Sequence, residues 1–448
     1  MASFRGATMP ADQLFSRRHF LAATGLSSGS LLLPKSFAEE KPARPKVAAI
    51  YTVFRHRSHA HVILEKFLRP YLFNGKRIQP PVEVVSFYAD QVAKEGDMTQ
   101  EVAKQFKIPV HKTIEGALTL GGKNLAVDAV LSIGEHGTYP VSKLGQVEYP
   151  RKRFFDEIVA VMRRSNRFVP LFNDKHLSYR WDWAREMVDT CRKHRIPFMA
   201  GSSVPLAQRI PVMELAAGAN IEEAVSIHGG PLEIYDFHGL EVLQSLVEFR
   251  KGGESGIRSV EFLTGDALWQ AEKKGRWSLR LAEAAMRAEF GNKVPDLRQQ
   301  IKGEKPAQAH SILLTYRDGF RATVLKIGFS ATRWNFACKL ADDKRIHATR
   351  FHVGPWRNRC LFMALSHAIQ DHFVRRRPPY PVERTLLTTG ALEAAMRSRF
   401  QNGRVQQTAH LDVVYEPRDF RAMREMGASW KAMENAQEIP GINPLGKK

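Results

Sequence analysis

The sequence predicts an α/β chain in two parts: a doubly wound parallel sheet, then an α+β domain with an open, mainly antiparallel sheet. Three observations predict it. From Lys46 to about Arg209, short apolar runs rich in β-branched residues alternate with stretches of helical periodicity. Beyond Arg209 hairpin signals replace that alternation, the plainest being Arg317-Asp318-Gly319 between two apolar runs. Finally, the first strand passes through a short loop directly into a helix, the opening of a βαβ unit.

Val47 to Ile50 is the first strand, and from Ala60 the apolar positions Val62, Ile63, Phe67 and Leu68 fall at helical spacing. Arg69 to Pro81 reads as an insertion before a second strand, Val82 to Tyr88, which ends near Asp90. Glu101 to Phe106 reads as helix, Ile108 to Val110 as a short strand, and Ile114 begins another helix. Val127 to Ile133 is the clearest buried strand and ends in the glycine-rich Gly134 to Tyr139. Helices at Phe154 to Ser165 and Trp181 to His194 alternate with strands at Phe168 to Phe172 and Ile196 to Ala200.

In the second part, strands are predicted at Glu222 to His228, Ile257 to Leu263, Ser311 to Tyr316, Phe320 to Ile327, Trp334 to Leu340 and Thr349 to Val353. Helices are predicted at Leu240 to Phe249, Trp277 to Phe290, Cys360 to Phe373 and Thr385 to Arg399.

The 67 Lys and Arg against 46 Asp and Glu leave a net charge of +21, which suits an anionic partner such as an acidic saccharide. No nucleic-acid motif accompanies the charge, so nucleic acid is not expected. No run of about 18 apolar residues occurs, so no membrane-spanning helix is predicted. Cys191, Cys338 and Cys360 are odd in number and lack CxxC spacing, which predicts neither a disulfide framework nor a zinc site.

Ser16-Arg17-Arg18-His19-Phe20-Leu21 is a twin-arginine signal core, followed by the apolar Leu21 to Leu33 and by Ser36-Phe37-Ala38. The expected signal peptide is 1–38, with a polar leader over 39–45. It implies recognition by the twin-arginine machinery, export in the folded state and a periplasmic or otherwise exported location. The mature chain then divides into an N-terminal domain at 46–208, a second domain at 209–430 and a tail at 431–448.

A dinucleotide-binding βα turn reads GxGxxG, because glycine lets the backbone approach a pyrophosphate at the helix N-terminus. Here the three slots are Tyr51, Val53 and His56. The surrounding frame nevertheless resembles the glucose–fructose oxidoreductase / inositol dehydrogenase (Gfo/Idh/MocA) family. Four stretches carry the resemblance: Lys46 to Ala60 with its Ser58-His59-Ala60, Val127 to Ile133 with its Asp-Ala-Val, Asp174-Lys175-His176 in place of Glu-Lys-Pro, and the late helix Arg384 to Arg399.

The resemblance implies a Rossmann-like first domain, a nicotinamide cofactor and a sugar-type ligand. Thr52, Arg55, Arg57, His59, Asp90, Glu135 and His136 fall at its cofactor-binding places. Arg55 and Arg57 would bind phosphate by charge, and Asp90 stands near the acid that holds the adenosine ribose. Lys175 matches the family's catalytic lysine. The family's later histidine and acid fall, in the register 237–244, at Glu241 and Gln244. Glu241 is therefore the second catalytic candidate, while His238 is read as lying on a different part of that helix.

The resulting expectation is an exported protein that binds or acts on a sugar or sugar derivative, with NAD(P) binding weak or lost. Two alternatives stand beside it: an active NAD(P)-dependent sugar oxidoreductase with a remodelled phosphate loop, and a non-enzymatic binder of anionic polysaccharide. Either is compatible with a homo-oligomer. His59-Ala-His61, His352, His367 and His372 have no ligand spacing, so no metal is expected. The aromatic-basic runs Arg333 to Phe336 and Pro355 to Arg359 suit stacking on a sugar ring.

Overall fold

In β1 (Lys46–Tyr51) every residue after Lys46 is buried, as a central strand covered on both faces requires. It pairs in parallel with β4 (Glu83–Ala89) on one side and β6 (Ala129–Ile133) on the other. With β5 (Val110–His111), β7 (Leu171–Asp174) and β8 (Phe198–Gly201) it makes a six-stranded parallel sheet of order β5-β4-β1-β6-β7-β8. The order reverses between β1 and β6, the Rossmann switch point at which ligands bind beyond the strand ends. The computed structural model describes residues 43–294, 296–299, 309–438 and 441–442. The twin-arginine core, the cleavage position and most of the leader lie outside the described residues.

The crossovers are α1 (His59–Leu68), α2 (Thr99–Phe106), α3 (Ile114–Thr119), α4 (Arg151–Arg164) and α5 (Trp181–Lys193). Ser58 caps α1 by accepting from the His61 amide. The insertion expected at 69–81 is a hairpin, β2 (Tyr71–Phe73) and β3 (Lys76–Ile78). An Asn74-Gly75 turn closes it, with both residues at positive φ (48° and 76°).

The second sheet has eight strands: β9 (Gln208–Ile210), β10 (Ile221–His228), β11 (Ile257–Thr264), β12 (His310–Tyr316), β13 (Arg321–Lys326), β14 (Trp334–Leu340), β15 (Asp343–His352) and β16 (Gln406–Gln407). Its order is β16-β11-β12-β13-β10-β14-β15-β9, antiparallel except where β10 lies beside β13. Both predicted halves of the fold class are present. The predicted hairpin joins β12 to β13, and β15 starts six residues before the expected Thr349.

One face of this sheet carries α7 (Gly265–Lys273) and α8 (Leu279–Phe290) over a core of Trp277, Leu281, Met286, Leu313 and Leu325. Against the other lie α6 (Ile234–Val247) and α10 (Val382–Phe400), almost wholly buried. α9 (Asn358–Arg375) packs on α1, and a short α11 (Ala428–Met433) follows near the C-terminus. α6 starts six residues before the expected Leu240, because Glu233 and Asp236 form a reciprocal capping box.

Candidate functional site

A cavity of about 410 Å³ opens where β6, β7 and β8 end and α6 begins. Its wall includes His59, Glu135, His136, Lys175, Tyr235 and His238. Each is delivered by an element end. His59 is the first residue of α1; Glu135 and His136 follow β6; Lys175 follows β7; Tyr235 and His238 stand in the first turns of α6.

Two hydrogen-bonded pairs set the chemistry. His59 Nδ1 is 2.6 Å from Asp174 Oδ2, and Asp174 is 1% exposed. A carboxylate on Nδ1 fixes the tautomer, leaving Nε2 as the acceptor nitrogen. Lys175 Nζ donates to Glu135 Oε1 at 2.8 Å, and the guanidinium of Arg151 takes Glu135 Oε2. Burial raises the Glu135 pKa, but Lys175 and then Arg151 hold it well below the usual carboxylate range. Arg151 reaches Glu135 across Gly134, where a Cβ would stand 2.7 Å from the Arg151 Cγ.

The neighbouring imidazoles are kept neutral. Burial, then His59, pushes His136 down to about 4. Burial and then Lys175 place His238 well below its ordinary range, and burial and then Arg151 do the same for His176. Glu233, at the N-cap of α6, moves the other way: burial and then Glu135 push it up to about 7. Tyr235 stacks on Trp334 with ring centroids 4.9 Å apart, making an aromatic wall.

Two signs mark this as a built site. Arg57, His136, Lys175, Glu233 and Arg357 all have positive φ, between 53° and 71°, and none is glycine. Such strain persists only where the surroundings impose it, and it gathers at functional sites. Ser203 Oγ and His136 Nε2 are buried polar atoms of lining residues without a hydrogen-bond partner. A polar ligand would supply one.

The second catalytic candidate sits elsewhere. Glu241 is fully buried beneath β8, bonded to Thr388 Oγ1 (2.8 Å) and the Ser202 amide (3.3 Å). The cavity wall carries His238 instead, its Nδ1 2.6 Å from Ser202 Oγ. Both side chains meet Ser202. This corrects the reading of His238 as turned to a different part of the helix: three residues is almost one turn, so the two share a face. One turn along the axis separates the cavity from the buried seat under Gly201.

Of the residues expected to hold a dinucleotide, Thr52, Asp90 and Arg57 are engaged by the chain itself. Tyr51 and Val53 are 0% and 4% exposed, and the Tyr51 ring packs edge-on to Phe54 and Phe87 in the core. Thr52 Oγ1 donates to the Glu135 carbonyl at 2.5 Å, and Arg55 is exposed. Asp90 accepts from Tyr139 Oη (2.8 Å), from Tyr88 Oη (2.8 Å) and from Arg153. Arg57 grips Glu438 through both carboxylate oxygens at 2.7 Å and also Asn358 Oδ1 at 3.0 Å.

The C-terminal segment thus lies at the N-terminus of α1. Arg359 also reaches Glu438 and the Gly441 carbonyl, while His61 Nε2 is 3.1 Å from that carbonyl. The Arg57 amide donates to His61 Nδ1, and the His61 amide to Ser58 Oγ. These amides are where a pyrophosphate would dock. The residues present do not fit a dinucleotide held in the glycine-loop manner.

No family model matches the chain, and no curated protein is similar to it in sequence. Solved structures do match it. GenD2 of gentamicin A biosynthesis, determined in complex with NAD, is 12% identical over 81% of this chain and 96% of its own, with a TM-score of 0.51. A myo-inositol dehydrogenase from Corynebacterium glutamicum is 12% identical over 82% of this chain and 99% of its own, with a TM-score of 0.50. The chain has the Gfo/Idh/MocA fold. Within that fold, Lys175, just after β7, and His59, at the start of α1, line the cavity beside the start of α6, whereas the loop before α1 is held by Arg57 against the C-terminal segment.

Proposed function

We propose that this protein binds a small hydroxylated ligand of the sugar class in the Lys175–His59 cavity and manages protons there, without a tightly held nicotinamide dinucleotide. The carrying observation is the meeting of two prepared pairs, His59 with Asp174 and Lys175 with Glu135, in one cavity with an aromatic wall. His59 Nε2 is suited to accept a hydroxyl proton, because Asp174 stabilises the imidazolium that results. The Lys175 ammonium is suited to donate to a ligand oxygen, with Glu135 fixing its position. Trp334 and Tyr235 offer a face to a sugar ring. The myo-inositol dehydrogenase sharing the fold supports the ligand class.

Calorimetric titration with myo-inositol, glucose and a uronic acid tests the reading, alongside chromatography of the supernatant from denatured protein. The expected result is saturable binding of at least one polyol, weakened by Lys175→Met, with no stoichiometric dinucleotide released. About one NAD(P) per chain would replace this reading with that of an active oxidoreductase. Binding indifferent to Lys175→Met would remove the cavity assignment.

The proposal includes export through the twin-arginine route, supported by Arg17-Arg18 and the apolar run after it. Replacing both arginines by lysine should retain precursor in the cytoplasm; unchanged delivery on fractionation would refute it.

A further inference from the structure

At the other end of α6 lies a second pocket, of about 320 Å³, sharing no lining residue with the first. Its wall joins the segment after β9, the last turns of α6 through Ser245 and Leu246, and the loop around Phe420. Two arginines face it from inside the protein. The Arg209 and Arg424 side chains are 5% and 2% exposed, and both line the pocket.

Their hydrogen bonding is incomplete. Arg209 Nη1 donates to the Met213 carbonyl at 3.0 Å and lies 3.4 Å from Glu214 Oε2. Arg424 Nη2 is paired with the other oxygen of the same carboxylate. Arg209 Nε, Arg424 Nε and Arg424 Nη1 are buried without a partner. One carboxylate therefore serves two guanidinium groups. Arg421 at the rim already has its own partner in Asp419, through two contacts of 3.0 and 2.8 Å.

Behind the Phe420 ring lies Arg384, 4.9 Å from its centroid, and its partner Glu248 is pushed up to about 7 by burial. Burial first, then Arg424, lowers Arg209 to about 9. An uncompensated buried charge with unmade hydrogen bonds is costly unless a counter-ion completes it. Guanidinium forks match the planar edge of a carboxylate and the face of a phosphate.

We propose that this pocket is a binding site for a small oxyanion, the phosphate or carboxylate group of a soluble ligand, held between Arg209 and Arg424. It is independent of the sugar-class cavity: a different set of residues holds it, and its test does not require the first site to function.

The test is calorimetric and thermal titration of the full chain with inorganic phosphate and, separately, with malonate, each at ionic strength held constant with sodium chloride. Saturable binding of either is expected, and the stronger of the two names the source chemistry. Arg424→Met should weaken it roughly tenfold or more, the loss of hydrogen bonds to a charged group. Ala217→Trp, which changes an exposed residue at the pocket mouth and no buried one, should do the same in a protein of unaltered fold. If neither anion gives a saturable response beyond chloride, the site does not exist. Binding that survives Ala217→Trp unchanged would place the anion elsewhere on the basic surface, and would overturn the assignment equally.

Discussion

Glu233 offers the sharpest quantitative test of the site's electrostatics. Its ordinary value of 4.5 is raised to about 7, by burial first and by the nearby Glu135 carboxylate second. Its side chain is 3% exposed, and its Oε1 has no hydrogen-bond partner, the His176 Nε2 lying 3.6 Å away. A carboxyl whose folded value lies above its unfolded one is more protonated in the native state. Stability from this group is therefore full below pH 4.5 and is lost as pH rises through about 7.

The interval between 4.5 and about 7 corresponds to about 3 kcal/mol. Glu233→Gln has no charge to bury and keeps a carbonyl for the Asp236 amide. It should match the wild type near pH 4 and exceed it by up to about 3 kcal/mol at pH 8. Urea denaturation of both proteins across that range, with the linear-extrapolation slope checked for constancy, is the measurement. A difference between the two that does not change with pH would refute the reasoning, because it would mean the carboxyl ionises normally in the fold.

Three further outcomes are expected. Asp236 accepts from His310 Nε2 (2.6 Å), His228 Nε2 (2.9 Å) and the Glu233 amide (2.7 Å). Asp236→Asn turns one acceptor edge into a donor and should cost about 2 kcal/mol or more in urea denaturation. Glu65 is fully buried between Lys66 and Arg359. Glu65→Leu leaves the buried Lys66 ammonium with carbonyl acceptors only, at Val62 and Arg359, and should cost about 3–5 kcal/mol by the same assay. Glu438→Gln removes the charge from a partly exposed pair with Arg57 and leaves the buried Arg359 its Glu65 partner, so thermal and urea measurements should register only about 1 kcal/mol.

The parallel sheet was legible because each of its main strands is a continuous apolar run, a pattern that burial on both faces demands. Asp174-Lys175 was legible because it ends such a run. The hairpin at 71–78 carried a plain Asn-Gly signal, but its three-residue strands are too short for periodicity to show. The exchange of Glu241 for His238 was not legible. It depends on where α6 begins, and that is set by a capping box whose Glu233 adopts a backbone conformation unusual for its type.

Neither the lock on Arg57 nor the paired burial of Arg209 and Arg424 has any local trace. Arg57 and Glu438 are 381 residues apart, and Arg424 and Glu214 are 210 apart. Charges this distant in sequence carry no spacing to read. Only the topology that brings the segment beyond α11 back to α1 makes the arrangement.

That return has a consequence in time. The first βα unit leaves the ribosome early, yet the acid that neutralises Arg57 is synthesised 381 residues later. At roughly 5–20 residues per second, the interval is on the order of half a minute. Throughout it the Arg57 guanidinium lacks the carboxylate that it grips in the finished fold, and the arrival of Glu438 supplies it. The last residues made thus complete a contact begun by the first unit, and a chain that stops before Glu438 would keep the Ser58 cap of α1 but leave Arg57 without its carboxylate.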